Sequence, residues 1–380
     1  MLNPLINTLE IKEKVRRKLL EMMDRASISK ALRDYHAQRP PRPCGMTIHT
    51  GIGCDFGCVY CYIPDMGFPR TITPYPLSGI ELTLALATNP HVMPGPIGTL
   101  AAFGSVTEPF HRKTIERTIE YLEWITRYLE LPVQMSTKAT INEHYARKIK
   151  EIEPNISILI TIISLSKNKV LEPRAPTPEE RLELMSMLSN LGIHTVLFLR
   201  PIIPGVTEHE AEKIIKLAVE HGAKGIVLGT LRVTYSILDR LRKAGINTSK
   251  IVSLMPYKPR RPNEQVPLRG GKLKDMVIRI ARDYSLKVYS SACSANIDAH
   301  RQACYACNKG PCGDIKYHVS LDEDKVREFL EYLRIRGRVL NVTASRVELR
   351  ILSKIDNSMV NLIKDVIFWC TRRRPIIHVK

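Results

Sequence analysis

Short apolar runs alternate with helical stretches six times within the first 231 residues of the chain. Each helix must return the chain to the same end of the next strand, so this alternation predicts a parallel sheet. An open doubly wound sheet and an incomplete (β/α)6 barrel both satisfy it, and both place functional residues at the carboxyl ends of the strands. The apolar runs lie at 46–51, 97–106, 132–137, 156–164, 194–203 and 224–231, and the helical stretches at 77–88, 111–130, 141–152, 178–191 and 208–221.

Segments of a different character flank this alternation, and they divide the chain into four predicted parts. Residues 1–43 form a basic amphipathic helical extension that stops at a proline-rich stretch, and residues 44–255 hold the strands and helices above. Residues 256–317 contain a linker rich in Pro, Arg and Gly, then a helix, a strand at 286–291 and a cysteine-rich segment. The pattern of residues 318–380 predicts a small C-terminal α+β unit with the element order α-β-β-α.

The net charge of +19 is distributed unevenly along the chain. Residues 44–255 carry 22 basic and 20 acidic side chains, so nearly all of the excess lies in the flanking parts. Basic segments around a near-neutral core suit contact with a phosphate backbone, which predicts a nucleic acid partner; a solvated basic surface is the alternative. The candidate phosphate contacts are Arg260, Arg261, Arg269, Arg334, Arg336, Arg338, Arg372, Arg373 and Arg374.

The distribution of apolar and cysteine residues predicts a cytoplasmic location. The longest apolar run, Ile156–Leu165, is half the length of a membrane-spanning helix, and residues 1–20 lack the apolar core of a signal peptide, so no membrane association is expected. The chain has nine cysteines, an odd number, and seven of them form two clusters, which indicates metal binding rather than a disulfide framework. Two cysteines lie outside the clusters, and we expect both Cys44 and Cys370 to be structural.

The first cluster lies directly after the first predicted strand, in the sequence HTGIGCDFGCVYCYIPDMGFP at positions 49–69. Its cysteines, Cys54, Cys58 and Cys61, can occupy three corners of an iron–sulfur cube and leave one iron without a protein ligand. A structural zinc ion would need a fourth ligand, which His49 could supply. The tight turning that such a loop requires is provided by glycines, namely Gly51, Gly53 and Gly57.

This cysteine spacing, with an aromatic residue immediately before the third cysteine, resembles the signature of radical S-adenosylmethionine (radical SAM) enzymes. The resemblance implies a [4Fe–4S] cluster whose open iron binds S-adenosylmethionine. It also implies reductive cleavage to a 5′-deoxyadenosyl radical, and an electron donor such as a ferredoxin or a flavodoxin. The implied fold is α/β, a partial (β/α)6 TIM-type barrel, which agrees with the six alternations. Tyr60 would lie against the adenine.

Further matches to the family follow the predicted strands and suggest cofactor contacts. Strand two is followed by FGSVTEP, in the place where the family usually binds the amino end of S-adenosylmethionine; the candidates there are Gly104, Ser105, Thr107 and Glu108. Lys138 after strand three and Arg200 in the fifth are candidate partners of the methionyl carboxylate. Ser164 and Ser166, after strand four, could reach the ribose hydroxyls.

The segments YCYIP, TEP, STK, LEPRAPTPEERL and RPIIPGVTEHE together resemble the spore photoproduct lyase-like branch of the family. Its lyases repair a thymine dimer in DNA and are expected to carry a hydrogen-donating cysteine in the strand-two loop, where this chain has Ser105. Ser105 and Tyr62, which flanks the third cysteine, are the candidate catalytic residues. The missing thiol favours RNA modification over photoproduct repair. Two alternatives stay open: radical modification of a protein, peptide or small metabolite, and a non-catalytic zinc protein that binds nucleic acid.

The second cluster contains four cysteines, Cys293, Cys304, Cys307 and Cys312, hereafter the cysteine tetrad. Four thiolates can hold either a structural zinc ion or a complete iron–sulfur cluster. The position C-terminal to the barrel resembles that of auxiliary clusters in radical SAM enzymes, which favours a second [4Fe–4S] cluster over zinc. His300 and His318 are possible substitutes for one ligand.

Overall fold

A computed structural model describes residues 3–41 and 45–379. The strands are β1 Met46–Ile48, β2 Gly51–Ile52, β3 Thr73–Pro74, β4 Ala101–Phe103, β5 Val133–Thr137, β6 Ser157–Thr161, β7 His194–Ile202, β8 Gly225–Thr230, β9 Arg232–Val233, β10 Val266–Pro267, β11 Lys287–Tyr289, β12 Ala303–Cys304, β13 Cys312–Gly313, β14 Gly337–Val342, β15 Arg346–Ile351 and β16 Arg374–Val379. The helices are α1 Pro4–Glu21, α2 Arg25–Arg33, α3 Tyr35–Gln38, α4 Gly79–Thr88, α5 Ile115–Leu129, α6 Glu143–Ile152, α7 Asn168–Leu171, α8 Pro178–Asn190, α9 Thr207–Glu220, α10 Tyr235–Lys243, α11 Ser249–Ser253, α12 Gly271–Asp283, α13 Ala292–Ala299, α14 Glu323–Tyr332 and α15 Asn357–Thr371.

Seven parallel strands form the central sheet, in the order β1-β4-β5-β6-β7-β8-β11. All five residues of β6 are buried, as expected for a central strand of a sheet that is covered on both faces. The predicted crossover helices correspond to α4, α5, α6, α8 and α9, each within a few residues of the predicted bounds. The α/β fold class predicted from the alternation is therefore confirmed, and the sheet has the strand order of a partial barrel that is open between β1 and β11.

The sheet extends beyond the boundary predicted at residue 255. Strand β11 pairs in parallel with β8, and α12 packs on α9 and β8, so the linker returns the chain to the sheet. The sequence correctly indicates a strand at 286–291 but assigns it to a separate segment. Strand β11 has only three residues, so its own sequence does not indicate which strand it pairs with. More than fifty residues separate it from its partner β8.

The N-terminal extension consists of three helices rather than the single predicted one. Asp24 and Asp34 each accept hydrogen bonds from backbone amides at the start of the next helix, so each caps a new helix and interrupts the previous one. Helix α1 is also not an appendage. Its Leu19 lies in the core of the sheet domain and its Leu5 in the core of the C-terminal unit, so α1 joins the two.

The C-terminal unit contains the four predicted elements and one further strand. Strand β15 pairs antiparallel with β14 and parallel with β16, while α14 and α15 cover the sheet. Strand β16 was missed because it begins in a basic, proline-containing run, which an edge strand tolerates. No helix in the described part of the chain combines the length and apolar character required of a transmembrane segment.

Candidate active site

The loop that follows β2 brings three cysteines to the carboxyl end of the sheet. We call residues 53–72 the cysteine loop. It starts at Gly53, which has a φ of +84°, and a Cβ at this position would lie 2.2 Å from the carbonyl oxygen of Thr71. A side chain would therefore collide with the returning end of the loop. Glycine at this position is a requirement of the loop geometry.

The three thiols of the cysteine loop face a common cavity. Burial raises the pKa of Cys54 to about 11 and that of Cys58 to about 12, and it also raises the pKa of Cys61. Repulsion from the Cys61 thiolate contributes to the raised pKa of Cys54 and of Cys58. Within residues 3–41 and 45–379, no three His, Cys, Asp or Glu side chains are grouped closely enough to hold a metal ion.

Arginines from distant elements hold the cysteine loop in place. The Arg240 guanidinium on α10 donates to the carbonyl oxygens of Val59 at 3.0 Å and Cys61 at 2.6 Å, and it pairs with Asp65 at 2.8 Å. Arg174 donates from its Nε to the carbonyl oxygen of Asp55. The backbone around the thiols is thus fixed by contacts that do not use the sulfurs.

A fully buried ion pair lies behind the loop and was not predicted from the sequence. Glu172 accepts a hydrogen bond from the Tyr60 hydroxyl and pairs with Arg181 at 2.6 Å. Arg181 also donates to the carbonyl oxygen of Thr161, at the end of β6, at 2.8 Å. This network, hereafter the Tyr60–Glu172–Arg181 network, connects the cysteine loop to the sheet.

The cavity between the cysteine loop and the strand ends has a volume of about 370 Å³, which is in the range of small-molecule sites. It brings together most of the residues predicted from the sequence, namely Cys54, Tyr60, Tyr62, Cys58, Cys61, Gly104, Ser105, Thr107, Glu108, Lys138 and Arg200. It also includes Arg232, which was not predicted. The signal for Arg232 was available, because it follows directly after the sixth predicted strand.

The segment after β4 approaches β5 so closely that it requires a glycine. Gly104 has a φ of +90°, and a Cβ there would lie 2.1 Å from the carbonyl oxygen of Ser136. Ser105 is exposed within the cavity. The side chain of Thr107 is only 5% exposed, and among the described residues its Oγ1 has no hydrogen-bond partner. A buried hydroxyl without a partner in a cavity wall indicates a place for a polar ligand atom.

Glu108 and Lys138 form the polar centre of the cavity wall. Glu108 accepts hydrogen bonds from the Thr137 hydroxyl at 2.5 Å and the Lys138 backbone amide at 2.9 Å, yet burial raises the pKa of its carboxyl. Burial disfavours the charge on Lys138, but the neighbouring Cys58 and Glu172 outweigh it and raise the pKa of the ammonium to about 12. The Lys138 Nζ lies 5.7 Å from the centre of the Tyr60 ring.

Ser164 and Ser166 are not among the residues that line the cavity. The Glu210 carboxylate of α9 accepts from the Ser164 hydroxyl at 2.5 Å and from the backbone amides of Leu165 and Ser166 at 2.9 and 2.8 Å. Their hydrogen-bonding capacity is thus directed to a carboxylate of the same chain, whose position on a later helix the sequence does not reveal.

Two guanidinium groups lie in the cavity wall without an acidic partner among the described residues. The stem of Arg200 crosses over Gly229, where a Cβ would lie 2.6 Å from it, and its guanidinium lies 5.9 Å from the Phe198 ring centre. Burial lowers the pKa of Arg200, and the neighbouring Arg232 lowers it further. Tyr62, 37% exposed, lines the same cavity.

The cysteine tetrad lies outside this cavity, on helix α13, on the two strands of the β12–β13 hairpin and in the loop that joins them. Cys304 and Cys312 are directly opposite one another in the β12–β13 hairpin. Burial raises the pKa of Cys312, and repulsion from the thiolates of Cys304, Cys293 and Cys307 raises it further. The Nδ1 atoms of His300 and His318 contact backbone carbonyl oxygens, so the Nε2 atom of each ring is the one that could serve as a substitute ligand.

Two of the predicted phosphate contacts are buried and do not face solvent. Arg372 donates to the carbonyl oxygen of Gly98 at 2.7 Å, and Arg373 donates to those of Val319 and Leu321 at 2.8 and 3.2 Å. The prediction for this pair is wrong, because both side chains satisfy loop carbonyls inside the protein. The other seven predicted arginines are exposed: Arg260, Arg261, Arg269, Arg334, Arg336, Arg338 and Arg374.

Three further residues were assigned from the sequence: the two cysteines outside the clusters and the possible zinc ligand His49. Cys370 is buried in the core of the C-terminal unit, where it was predicted to be structural. Cys44 lies outside the described residues. The His49 ring packs against Tyr35, with 4.9 Å between ring centres, and does not line the cavity.

Residues 48–218 match the model of the radical SAM superfamily. The chain matches no curated protein. Among solved structures, a spore photoproduct lyase double mutant with bound AdoMet and dinucleoside spore photoproduct is 15% identical with a TM-score of 0.55, over 68% of this chain and 80% of that chain. Spore photoproduct lyase complexed with dinucleoside spore photoproduct is 15% identical with a TM-score of 0.50, over 64% and 73%. At this identity the likeness shows a shared fold.

Proposed function

This chain belongs to the radical SAM superfamily of enzymes, and on that premise we propose that it modifies a nucleic acid, RNA in preference to DNA, by hydrogen-atom abstraction. The family implies a [4Fe–4S] cluster and S-adenosylmethionine. When bound and reduced by one electron, this pair supplies methionine and a 5′-deoxyadenosyl radical that removes a hydrogen atom from a substrate C–H bond. A low-potential donor of the ferredoxin or flavodoxin class would provide the electron.

The residue types of the cavity fit this pair of cofactors, and the three thiols would draw together on binding the cluster. Cys54, Cys58 and Cys61 offer three thiols at one wall, and metal binding would displace the protons that burial holds on them. The Thr107 hydroxyl, which lacks a partner among the described residues, would meet a polar group at the amino end of S-adenosylmethionine. The neighbouring Glu108 would accept from the ammonium there.

Lys138 would hold the methionyl carboxylate, so its removal is expected to weaken binding of S-adenosylmethionine. Replacement of Lys138 by methionine should raise the KM for S-adenosylmethionine by about 10- to 100-fold, since a hydrogen bond to a charged group is worth about 1.5–3 kcal/mol. Lys138→Arg, which keeps the charge, should recover part of the loss. The measurement is 5′-deoxyadenosine formation against S-adenosylmethionine concentration under dithionite. An unchanged KM in Lys138→Met would contradict this assignment.

The observation that carries the choice of substrate is the pair Arg200 and Arg232, two cations without acidic partners in the cavity wall. Strand β9, which contains Arg232, pairs with β10 of the basic linker, so Arg232 lies opposite Pro267. The exposed Arg269 follows two residues later. A polyanion would find a continuous cationic path from the linker into the cavity, which favours nucleic acid over a peptide.

The preference for RNA depends on the strand-two loop. Ser105 lies exposed in the cavity at the position where the lyases are expected to carry a cysteine. A serine hydroxyl holds its hydrogen atom too strongly to return it to a substrate radical, as a thiol does. Tyr62 lies in the same wall, where its phenol could donate a hydrogen atom or its ring could stack on a base.

The substrate class can be tested by the dependence of 5′-deoxyadenosine formation on the added substrate. We expect RNA from the native host to stimulate formation several-fold over enzyme alone, and ultraviolet-irradiated DNA and host protein to have little effect. Stimulation by irradiated DNA would indicate photoproduct repair. Stimulation by protein alone would support the peptide-modification alternative.

The contribution of the two cavity arginines can be measured in the same experiment. Arg200→Ala combined with Arg232→Ala should reduce the stimulation and lower the salt dependence of RNA binding by about 1.4 in log–log slope, as expected for two contacts to a single strand. Arg282→Ala, an exposed position on α12, is the matched control and should change neither quantity. An unchanged slope in the double variant would remove these arginines from the substrate path.

A further inference from the structure

The cysteine tetrad belongs to a compact substructure made of helix α13 and the β12–β13 hairpin. Cys293 is in the first turn of α13, Cys304 and Cys312 are paired across the hairpin, and Cys307 lies in its connecting turn. The helix packs on both strands of the hairpin. The contact is close, since a Cβ on Gly313 would lie 2.8 Å from the Ile297 side chain of α13.

Helix α13 fills the end of the partial barrel that lies opposite the cavity. It packs on β5, β6, β8 and β11, and its Ala295 shares an apolar cluster with Leu159, Val196, Val227 and Tyr289 from the strands. The Asn296 side chain donates to the carbonyl oxygen of Pro132, the residue immediately before β5. These contacts place α13 at the amino ends of the strands, which we call the closed face.

Polar contacts at the closed face fix the orientation of the helix. The Tyr289 hydroxyl donates to Asp298 on α13 at 2.6 Å and contacts the Nε2 of His194, the first residue of β7, at 3.0 Å. The Nδ1 of His194 in turn contacts the hydroxyl of Ser157, the first residue of β6, at 3.0 Å. Asp298 of α13 is thus connected through Tyr289, at the end of β11, to the first residues of β7 and β6.

The same substructure joins the C-terminal unit to the sheet domain. Gln302, between α13 and β12, donates to the carbonyl oxygen of Pro96 and accepts from Arg372 at 3.2 Å. The Tyr305 amide donates to the carbonyl oxygen of Arg372 at 2.8 Å. Three members of the tetrad, Cys293, Cys304 and Cys312, pack against the core of the C-terminal unit.

The two cysteine groups therefore lie at opposite ends of the strands of the sheet domain. The cavity is lined by residues at the carboxyl ends, such as Thr161, whereas the polar network that reaches α13 includes Ser157 at the amino end of β6. These two residues are the ends of β6, and four steps along a strand span roughly 13 Å. None of the four tetrad cysteines lines the cavity beside Cys54, Cys58 and Cys61.

We propose that the cysteine tetrad, of which no three thiols are grouped closely enough for a metal ion in the described residues, closes around one thiolate-ligated metal centre, a zinc ion or a second [4Fe–4S] cluster, whose role is structural. It would lock α13 into the closed face and join this helix to the C-terminal unit. A site with four cysteine ligands leaves no position for a substrate, as in closed structural sites. The proposal does not depend on the substrate proposed above.

The presence of the centre can be tested without interference from the first cluster. In the full chain with Cys54, Cys58 and Cys61 all replaced by alanine, any tightly bound metal must come from elsewhere. We expect about one zinc or about four irons per chain after anaerobic purification and reconstitution, and the element found identifies the centre. A chain that retains no stoichiometric metal would overturn the proposal.

The structural role can be tested in the reconstituted full chain with Cys304→Ala and Cys307→Ala. We expect loss of one metal centre and at least roughly tenfold faster amide hydrogen exchange in residues 292–299 and 303–313. The reason is that the free energy of local opening of the helix and hairpin becomes smaller. Formation of 5′-deoxyadenosine per folded chain should stay within about threefold. If the double variant does not fold, Cys307→Ser alone gives the same measurements.

Two results would contradict the structural role. The first is unchanged exchange in these segments after loss of the metal. The second is loss of 5′-deoxyadenosine formation with unchanged exchange, which would identify the centre as an electron relay. Cys370→Ala removes a buried thiol outside the tetrad and serves as the control, with full metal content and unchanged exchange in residues 292–299.

Discussion

Replacement of Cys58 by alanine is expected to reduce 5′-deoxyadenosine formation below detection while the apoprotein remains folded. Cys58 is one of three thiols that line the cavity, and two thiolates cannot hold an iron–sulfur cube that already lacks one protein ligand. Its backbone is fixed independently of the sulfur, because the amide of Val59 donates to the carbonyl oxygen of Leu171 and the carbonyl oxygen of Val59 accepts from Arg240. The loss should therefore come from the cofactor and not from the loop.

The measurements are iron content after anaerobic reconstitution and 5′-deoxyadenosine formed from S-adenosylmethionine under dithionite. Cys370→Ala is the matched control, since this thiol is buried in the core of the C-terminal unit and should leave formation intact. Near wild-type formation in Cys58→Ala would contradict the placement of the first cluster.

The parts of the site that could be predicted from the sequence share one property: they lie near the carboxyl ends of strands or directly after them. A parallel sheet collects the carboxyl ends of its strands at one end of the domain, so the alternation together with the family resemblance placed Glu108, Lys138 and Arg200 in one site. The cysteine loop could be predicted for the same reason. The local sequence pattern was sufficient because the parallel topology brings these strand ends together.

The parts that could not be predicted depend on contacts between distant segments. Arg372 and Arg373 belong to a basic run that is typical of a solvated surface, yet both are buried because they satisfy loop carbonyls. Helix α13 has few of the periodic apolar residues that mark a core helix, since it fills the closed face with small side chains such as Ala295. Glu210, from a later helix, occupies the hydrogen bonds expected of Ser164.

The Tyr60–Glu172–Arg181 network belongs to this second group and gives the second large prediction. Replacement of Arg181 by methionine should destabilise the sheet domain by about 3–5 kcal/mol, because it leaves the Glu172 carboxylate buried without its cation. For a domain of this size we expect a fall of roughly 10 °C in the unfolding temperature. Iron incorporation should also fall, because the network connects Tyr60, the neighbour of Cys61, to the end of β6.

The control for this prediction is the double variant Arg181→Met with Glu172→Gln, in which the charge that lost its partner is also removed. A neutral amide oxygen can still accept from the Tyr60 hydroxyl, so the double variant should be more stable than Arg181→Met alone. Thermal unfolding of the apoprotein and iron content after reconstitution measure the two effects separately. If the single and double variants unfold at the same temperature, the cost arises from lost packing around Arg181, and the buried charge does not determine the stability of the loop.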